Sequence, residues 1–437
     1  MAYDINVLTI VVMAALGAIC AYLANQNLAV FHDGLRPVYT QYLNGAMDRK
    51  TLFATSFALS IGLVVGFGIP TSIAGTIIIV HTVMLSCDMI GTLFQEKTGK
   101  WLATAVGALF AVALLFGMQT IMNLFEVLPI NFTDDLSSVG ALIIVAFSVF
   151  PALAVAYQAG FKSGAVVLLL TMLVKQVTVV YGSFTFNSVN VALNPDGMAL
   201  LFAILAMVFV AARSSKGEGS ETADAFAIFS ANIDRIKQNI FILGISGGIV
   251  AIATTLLLIA EGPASLVLTV EGQYNEAAMV ALGRAMGFIP LVMTTAIVSG
   301  VYSPAGTKMV HIPAILLINA GIMGLVGSFV IGALIMVIEV LLLGFIARGL
   351  DKFPGMKELG DNTRTAMSKV LDIALLVGGM LAANAIAPTL GYIWVIGLHF
   401  LNQSSPKPIP SMAVGPLGAI TIGLLVNVLH LIGLFPQ

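Results

Sequence analysis

Apolar runs of about 20 residues follow one another along the chain, separated by short polar stretches. That is the length at which a helix crosses the hydrocarbon core of a bilayer. Alternation over about ten residues, the mark of a membrane barrel, is absent. The pattern predicts an all-α polytopic membrane protein with about 11–13 transmembrane segments, some broken or re-entrant. The expected spans lie near 5–24, 52–65, 73–93, 101–124, 139–157 and 165–181, with a further one ending near 212. A second series lies near 240–260, 277–298, 313–330, 332–347, 366–387 and 414–434.

Two polar stretches stand out. In Asn25–Lys50 the apolar positions Leu28, Phe31, Leu35, Val38, Tyr39 and Tyr42 recur at helical spacing, which predicts a helix along the membrane surface or a plain connecting helix. Arg213–Gln238, with Ser214-Ser215-Lys216-Gly217-Glu218-Gly219-Ser220, is too short for a core of its own and reads as a cytoplasmic hinge. It divides the chain into a first membrane repeat with a linking helix (1–212), the hinge (213–238) and a second repeat (239–437).

The apolar pattern is interrupted at comparable places in the two halves. The first carries Gly66-Phe67-Gly68-Ile69-Pro70-Thr71-Ser72, the second Gly287-Phe288-Ile289-Pro290 followed by Ser303-Pro304-Ala305-Gly306-Thr307. Glycine frees the backbone and proline removes a donor, so a helix is expected to break or turn at each. Paired Gly/Pro interruptions in two halves point to the binding site of a secondary transporter.

Composition reinforces the membrane assignment. The chain is 59% hydrophobic and 9% charged, with mean hydropathy +1.03, against roughly 25% charged residues in soluble domains. The net charge of −2 comes with no basic block, so nucleic acid is not an expected partner. Cys20 and Cys87 lie inside apolar runs and imply neither disulfide nor metal. Met1-Ala2-Tyr3-Asp4 has no cationic leader region, which argues against a cleaved signal peptide.

Cations mark the cytoplasmic loops. Placing Arg36, Arg49 and Lys50, Lys97 and Lys100, Lys162, Arg213 to Lys237 and Arg348 to Arg364 inside gives one alternating path with Asp134-Asp135 and Glu261 outside. The N-terminus is then periplasmic, and a re-entrant Gly391–Met412 makes the C-terminus cytoplasmic. The spans entering Pro70 and Pro290 start from opposite sides, which predicts an inverted repeat.

Ionisable groups within spans are candidate functional residues, because burying their charge in lipid is costly. His81 and Asp88, seven residues apart, share a helix face, although Asp88 could instead cap or snorkel near its helix end. Lys175-Gln176 sits deep in a span; Glu339 or Asp372 could pair with the lysine, in a binding site or a structural ion pair. Arg284, three residues before Gly287, would suit a carboxylate or phosphate, or lie near outer headgroups. Thr294, Thr295 and Ser299 can bond their own helix carbonyls, while Ser303, Thr307, Lys308 and His311 surround the second Pro/Gly break, where free amides would favour an anion. The phenylalanines read as lipid-facing or packing residues.

No HExxH, GxSxG or P-loop is present, so no catalytic residue, metal or cofactor is expected and ATP-driven pumping by this chain alone is excluded. An intramembrane enzyme would need His81 with Ser86, or His311 with Ser303.

The chain's length, its order of spans and the stretches Gly66–Pro70 and Ser303–Lys308 resemble the YhfT family of bacterial inner-membrane proteins, regarded as transporters. More distantly, its size and repeat resemble the membrane enzyme IIC components of the ascorbate–galactitol phosphotransferase group. That resemblance implies a homodimer, an elevator-type movement and, where transport is coupled to phosphorylation, separate cytoplasmic phosphotransferase components. The expected function is alternating-access transport of a small anionic solute such as a sugar acid, with no enzymatic activity. The alternative is an ion-coupled symporter or channel using His81, Asp88, Lys175, Glu339 and Asp372.

Overall fold

A computed structural model describes residues 5–186, 189–193, 195–213, 222–352, 355–406, 408–409 and 411–435. The first half contains α1 (Val7–Asn25), α2 (Arg36–Leu43), α3 (Arg49–Leu63), a wide π turn (Val64–Gly68), α4 (Ile69–Gly75), β1 (Ile78–Ile79), α5 (Val80–Leu93) and α6 (Lys100–Glu126). Then follow α7 (Ser137–Ala159), α8 (Phe161–Tyr181), the hairpin strands β2 (Ser183–Phe186) and β3 (Val189–Ala192), and α9 (Pro195–Arg213). The second half contains α10 (Thr222–Gln238), α11 (Ile240–Thr255), β4 (Ile259–Ala260), α12 (Pro263–Val270), α13 (Tyr274–Ser299), α14 (His311–Leu316) and α15 (Gly321–Lys352). It ends with α16 (Gly355–Ile386), α17 (Leu390–Ser404) and α18 (Ser411–Leu431).

Among the described residues, seven helices are long and apolar enough to cross a membrane, or nine if each of two bent pairs is one span. Together with the near-absence of strands, this is an all-α, multi-pass membrane protein.

Small residues set how the long helices pack. α1 and α6 are antiparallel and touch backbone to backbone: a Cβ on Gly17 would stand 2.1 Å from the Gly107 carbonyl oxygen. In the second half, α11 and α15 pack the same way, a Cβ on Gly247 falling 2.7 Å from the Gly332 oxygen. Close approach through small residues substitutes for the hydrophobic drive that lipid removes.

Four helix ends then unwind through a left-handed residue, and each enters a short β bridge two residues later. Asn27 leads to Ala29, Thr76 to Ile78, Leu257 to Ile259 and Gly300 to Tyr302. Ala29 pairs in parallel with Tyr302, and Ile78 with Ile259. The first unwound segment of one half therefore pairs with the second of the other, and the reverse.

Several expectations change at the level of elements. The Gly66–Ser72 interruption does not break the chain; a π turn absorbs it, a widening often seen at functional sites. The true break falls at Thr76–Ile79, so no helix runs unbroken from Ile73 to Leu93. Gly287–Pro290 remains helical but bends α13 by 46°. The two spans expected at 313–330 and 332–347 are the short α14 and the single long α15. The stretch 213–238 is not only a hinge: α10 docks through Asn232, which donates to the Ile297 and Val298 carbonyls, and Arg235, which donates to the Asn27 carbonyl. Residues 214–221 lie outside the described residues. In α2, Arg36 and Tyr39 are buried while Gln41 and Leu43 are exposed.

Candidate functional site

A cavity of about 350 Å³ opens where the bent helices and the unwound segments converge. Its size lies within the range of small-molecule sites. The walls come from the 31–34 segment, α3, the π turn, α5, α13, Lys308, α16 and α18. Three phenylalanines, Phe31, Phe67 and Phe288, face one another across it with Leu59, Leu63, Leu85, Leu291 and Leu371.

Two nitrogen-bearing side chains stand among those rings. His81 lies edge-on to both Phe31 and Phe67, with ring centres 5.1 Å apart in each case, and its Nδ1 has no hydrogen-bond partner. The Lys308 ammonium is 3.8 Å from the centre of the Phe288 ring and 5.5 Å from that of Phe31, within cation–π range. Only 4% of Lys308 is exposed. Its backbone is left-handed (φ 73°), a conformation costing a non-glycine residue on the order of 1–3 kcal/mol and typical of functional positions.

The buried cations among the described residues are Arg36, Arg49, Arg284 and Lys308, and protein groups occupy the arginines. Arg36 binds Asp33, the Thr295 hydroxyl and the Val30 carbonyl. Arg49 donates to the Gly91, Phe94 and Asn25 carbonyls and to Asn27. Arg284 pairs with Glu261 at 2.7 Å, and a Cβ on Gly262 would collide with its guanidinium. Lys308 alone among the four has no ion-pair or hydrogen-bond partner and lines the cavity.

The segment carrying Lys308 is tied down from α15. Glu339 accepts the Tyr302 hydroxyl at 2.8 Å, the Thr307 N–H at 2.9 Å and the Thr307 hydroxyl. Gly306, at φ 54°, leaves it room; a Cβ there would stand 2.2 Å from the carboxylate. Asp88, on α5, does the equivalent for the 31–34 segment, accepting the Phe31 and His32 N–H groups at 3.0 and 2.9 Å. Buried backbone donors in a membrane must find such acceptors.

The site expectations therefore divide. His81 and Lys308 line the cavity. Asp88 and Ser303 accept backbone N–H groups, the Thr307 hydroxyl donates to the Glu339 carboxylate, and Ser72 donates to the Gly68 carbonyl while accepting the Ile79 N–H at 2.9 Å. Gly68 is required by the approach of Thr82, 2.5 Å from where its Cβ would be, and Thr71 and Pro70 are buried on α4. His311 bonds Thr254 at 2.8 Å, away from the cavity wall. Gly66, Gly287, Pro290 and Thr294 are helical, and their side-chain surroundings lie outside what the structure describes.

Arg284 is engaged by Glu261 and does not line the cavity, so its expected ligand role is not what the geometry gives it. Lys175 pairs with Asp196 at 2.6 Å, not with Glu339 or Asp372, and is 41% exposed; Gln176 is exposed too. Both stand apart from the cavity because they face out from α8.

Phe31, Phe67 and Phe288 read as filler in the sequence, yet they form the cavity walls. One sequence signal does mark two of them: Phe67 and Phe288 each stand just ahead of an Ile-Pro pair in the interrupted motif of their half. His32, Asp33, Asp372 and Ser411 also line the cavity; of the four only Asp372 is a candidate from the sequence, for the ion-coupled alternative.

The YhfT family model, described as a protein of unknown function, matches residues 9–435. The chain is 29% identical over 442 residues to the uncharacterized protein YhfT of Escherichia coli (strain K12), covering 98% of each chain. No solved structure gives a significant match. The likeness to the enzyme IIC group is not shown by these matches. With its family pattern matched from the first helix to the last, the chain belongs to the YhfT family.

Proposed function

We propose that this protein is an alternating-access carrier for a small anionic solute, bound in the central cavity with Lys308 as its counter-charge. The observation that carries this reading is the ammonium itself: a buried cation, unpaired among the described residues, on a strained backbone at a cavity wall. A charge left without a partner in a membrane interior is costly, and an anionic ligand removes that cost.

Two inverted repeats underlie the carrier. The Gly17–Gly107 and Gly247–Gly332 contacts correspond, and so do the unwound segments. The same displacement relates Gly17 to Gly247, Asn27 to Leu257 and Ala29 to Ile259. The bond from Arg235 to Asn27 supports opposite directions, because α11 then begins at the end of the molecule where α1 finishes. Unwound segments from each repeat meeting at mid-membrane are the usual framework of a secondary transporter site. Lys308 and His81 would then change access as one repeat shifts against the other.

The positive-inside argument is refined by the same contacts. Arg49, Arg235 and the Glu96–Lys100 loop gather at the C-terminal end of α1, which supports that end as cytoplasmic. Asn427 of α18 bonds Ile130 beyond the far end of α6. This supports both termini on the periplasmic side, in place of the opposite sides expected from sequence.

An ion-coupled version has one observation in its favour. Asp372 lines the cavity and, among the described residues, is held only by Ser411, leaving room for a coupling cation or proton.

The reading is tested by thermal unfolding of the detergent-purified protein against a panel of carboxylates, phosphates and matched neutral analogues. A ligand that binds the folded state raises the melting temperature in a saturable way. Stabilisation by anions alone, lost in Lys308→Gln, is the expected result; stabilisation independent of charge or of Lys308 contradicts it.

A further inference from the structure

The walls around Lys308 specify more than a negative charge. A polyhydroxylated solute such as a sugar acid needs a hydrogen-bond partner for each hydroxyl it buries, since an unpartnered buried hydroxyl costs more than it gains. The cavity supplies few. One oxygen of Asp33 is engaged by Arg36, and the two nitrogens of His32 are engaged by the Leu59 carbonyl and the Gly34 N–H. What remains for a ligand is the Lys308 ammonium, the His81 ring, the second oxygen of Asp33 and the Asp372–Ser411 pair.

The rest of the wall is apolar. Phe31, Phe67 and Phe288 come from three different parts of the chain, and their rings surround the two nitrogen groups. Such a site favours a ligand with one charged end and a flat or branched hydrocarbon body.

We infer that the solute is a monoanion with a largely apolar body, of the aryl- or branched-alkyl-carboxylate class, and not a sugar acid or sugar phosphate. Its carboxylate takes the Lys308 ammonium and the His81 nitrogen, and its body lies among Phe31, Phe67 and Phe288. This assignment rests on the carrier reading above and narrows it.

The test is isothermal titration of the full-length protein in detergent with three probes at matched ionic strength: phenylacetate, 4-methylvalerate and gluconate. Phenylethylamine serves as the cationic counterpart. Saturable binding of the first two, at least tenfold tighter than gluconate and the amine, is expected. Lys308→Gln should weaken it at least tenfold. Leu59→Trp, which fills the cavity from α3 and leaves every charge in place, should abolish it, so the result does not depend on how the lysine variant folds. Gluconate binding as tightly as phenylacetate, with the same dependence on Lys308, overturns the apolar class and leaves the anion carrier standing. Failure of all three anions, or binding indifferent to both substitutions, overturns both.

Discussion

In the first half, Phe67 of the Gly-Phe-Gly-Ile-Pro motif sets its ring edge-on to His81 at 5.1 Å; in the second, Phe288 of Gly-Phe-Ile-Pro lies 3.8 Å from the Lys308 ammonium. Each half thus brings its motif phenylalanine against a nitrogen donor from the segment that follows, and both pairs face one cavity. The motif recurs and its surroundings do not. An imidazole can sit neutral in an apolar wall, whereas a lysine there, under the carrier proposal, is the counter-charge of an anion. The unlike residues beside the two phenylalanines set the cavity's polarity.

The unwound segments are also held in unlike ways. Asp88 and Glu339 each take backbone N–H groups with a single carboxylate, one per half. The 257–262 segment is fixed instead by the fully buried Glu261–Arg284 pair, and its partner near Ile79 by the Ser72 hydroxyl. The largest effect is therefore expected at Arg284→Ala. Removing one member of a buried pair costs about 3–5 kcal/mol, so this variant should purify poorly or melt far below wild type. A variant that melts normally would show that the pair does not hold the crossing.

Asp88→Asn comes next. The amide keeps the shape but turns one acceptor into a donor facing an N–H, at a cost of about 1–3 kcal/mol. Its melting temperature should fall and the amides of Phe31 and His32 should exchange hydrogen faster, while Glu339 leaves the Lys308 segment protected.

The phenylalanines sharpen the contrast further. Phe288→Leu removes a cation–π contact worth about 0.5–2 kcal/mol and should shift anion affinity severalfold by titration. Phe67→Leu, against a histidine, should shift it less. Equal effects would mean that the two halves contribute alike. Lys175→Ala gives the smallest change: a half-exposed pair contributes about 0–1 kcal/mol, so the melting temperature should hold within a few degrees and uptake should be unaltered.

Much of this architecture is legible in the amino-acid sequence. Hydropathy locates α1 and α6 nearly to their ends, and α8, α9, α11 and α18 in outline, because long apolar periodicity has few other outcomes in a membrane. The recurrence of Gly-Phe and Ile-Pro marks the π turn of the first half and the bent α13 of the second. The bend chemistry is not legible, since glycine and proline say only that a regular helix is disfavoured. The π turn and the left-handed Thr76 and Leu257 are set by packing between the halves, and neither residue type announces such a conformation. Charge is the weakest guide. Arg36 and Arg49 have the sequence look of cytoplasmic loop residues but serve buried carbonyls, and Lys175 has the look of a buried site cation but faces outward to Asp196. In the sequence Lys308 is one basic residue among several; in the fold it is the buried cation, among the described residues, whose side chain has no ion-pair or hydrogen-bond partner.

The central claim is that Lys308 binds an anion in a cavity that opens alternately to the two sides. Counterflow of radiolabelled phenylacetate in proteoliposomes tests it most directly, because only a carrier exchanges bound solute across the membrane against its own gradient. Wild type preloaded with unlabelled phenylacetate should transiently accumulate label to a saturable extent, and Lys308→Gln should not. Label that equilibrates without overshoot, or an overshoot that survives the substitution, would contradict the account.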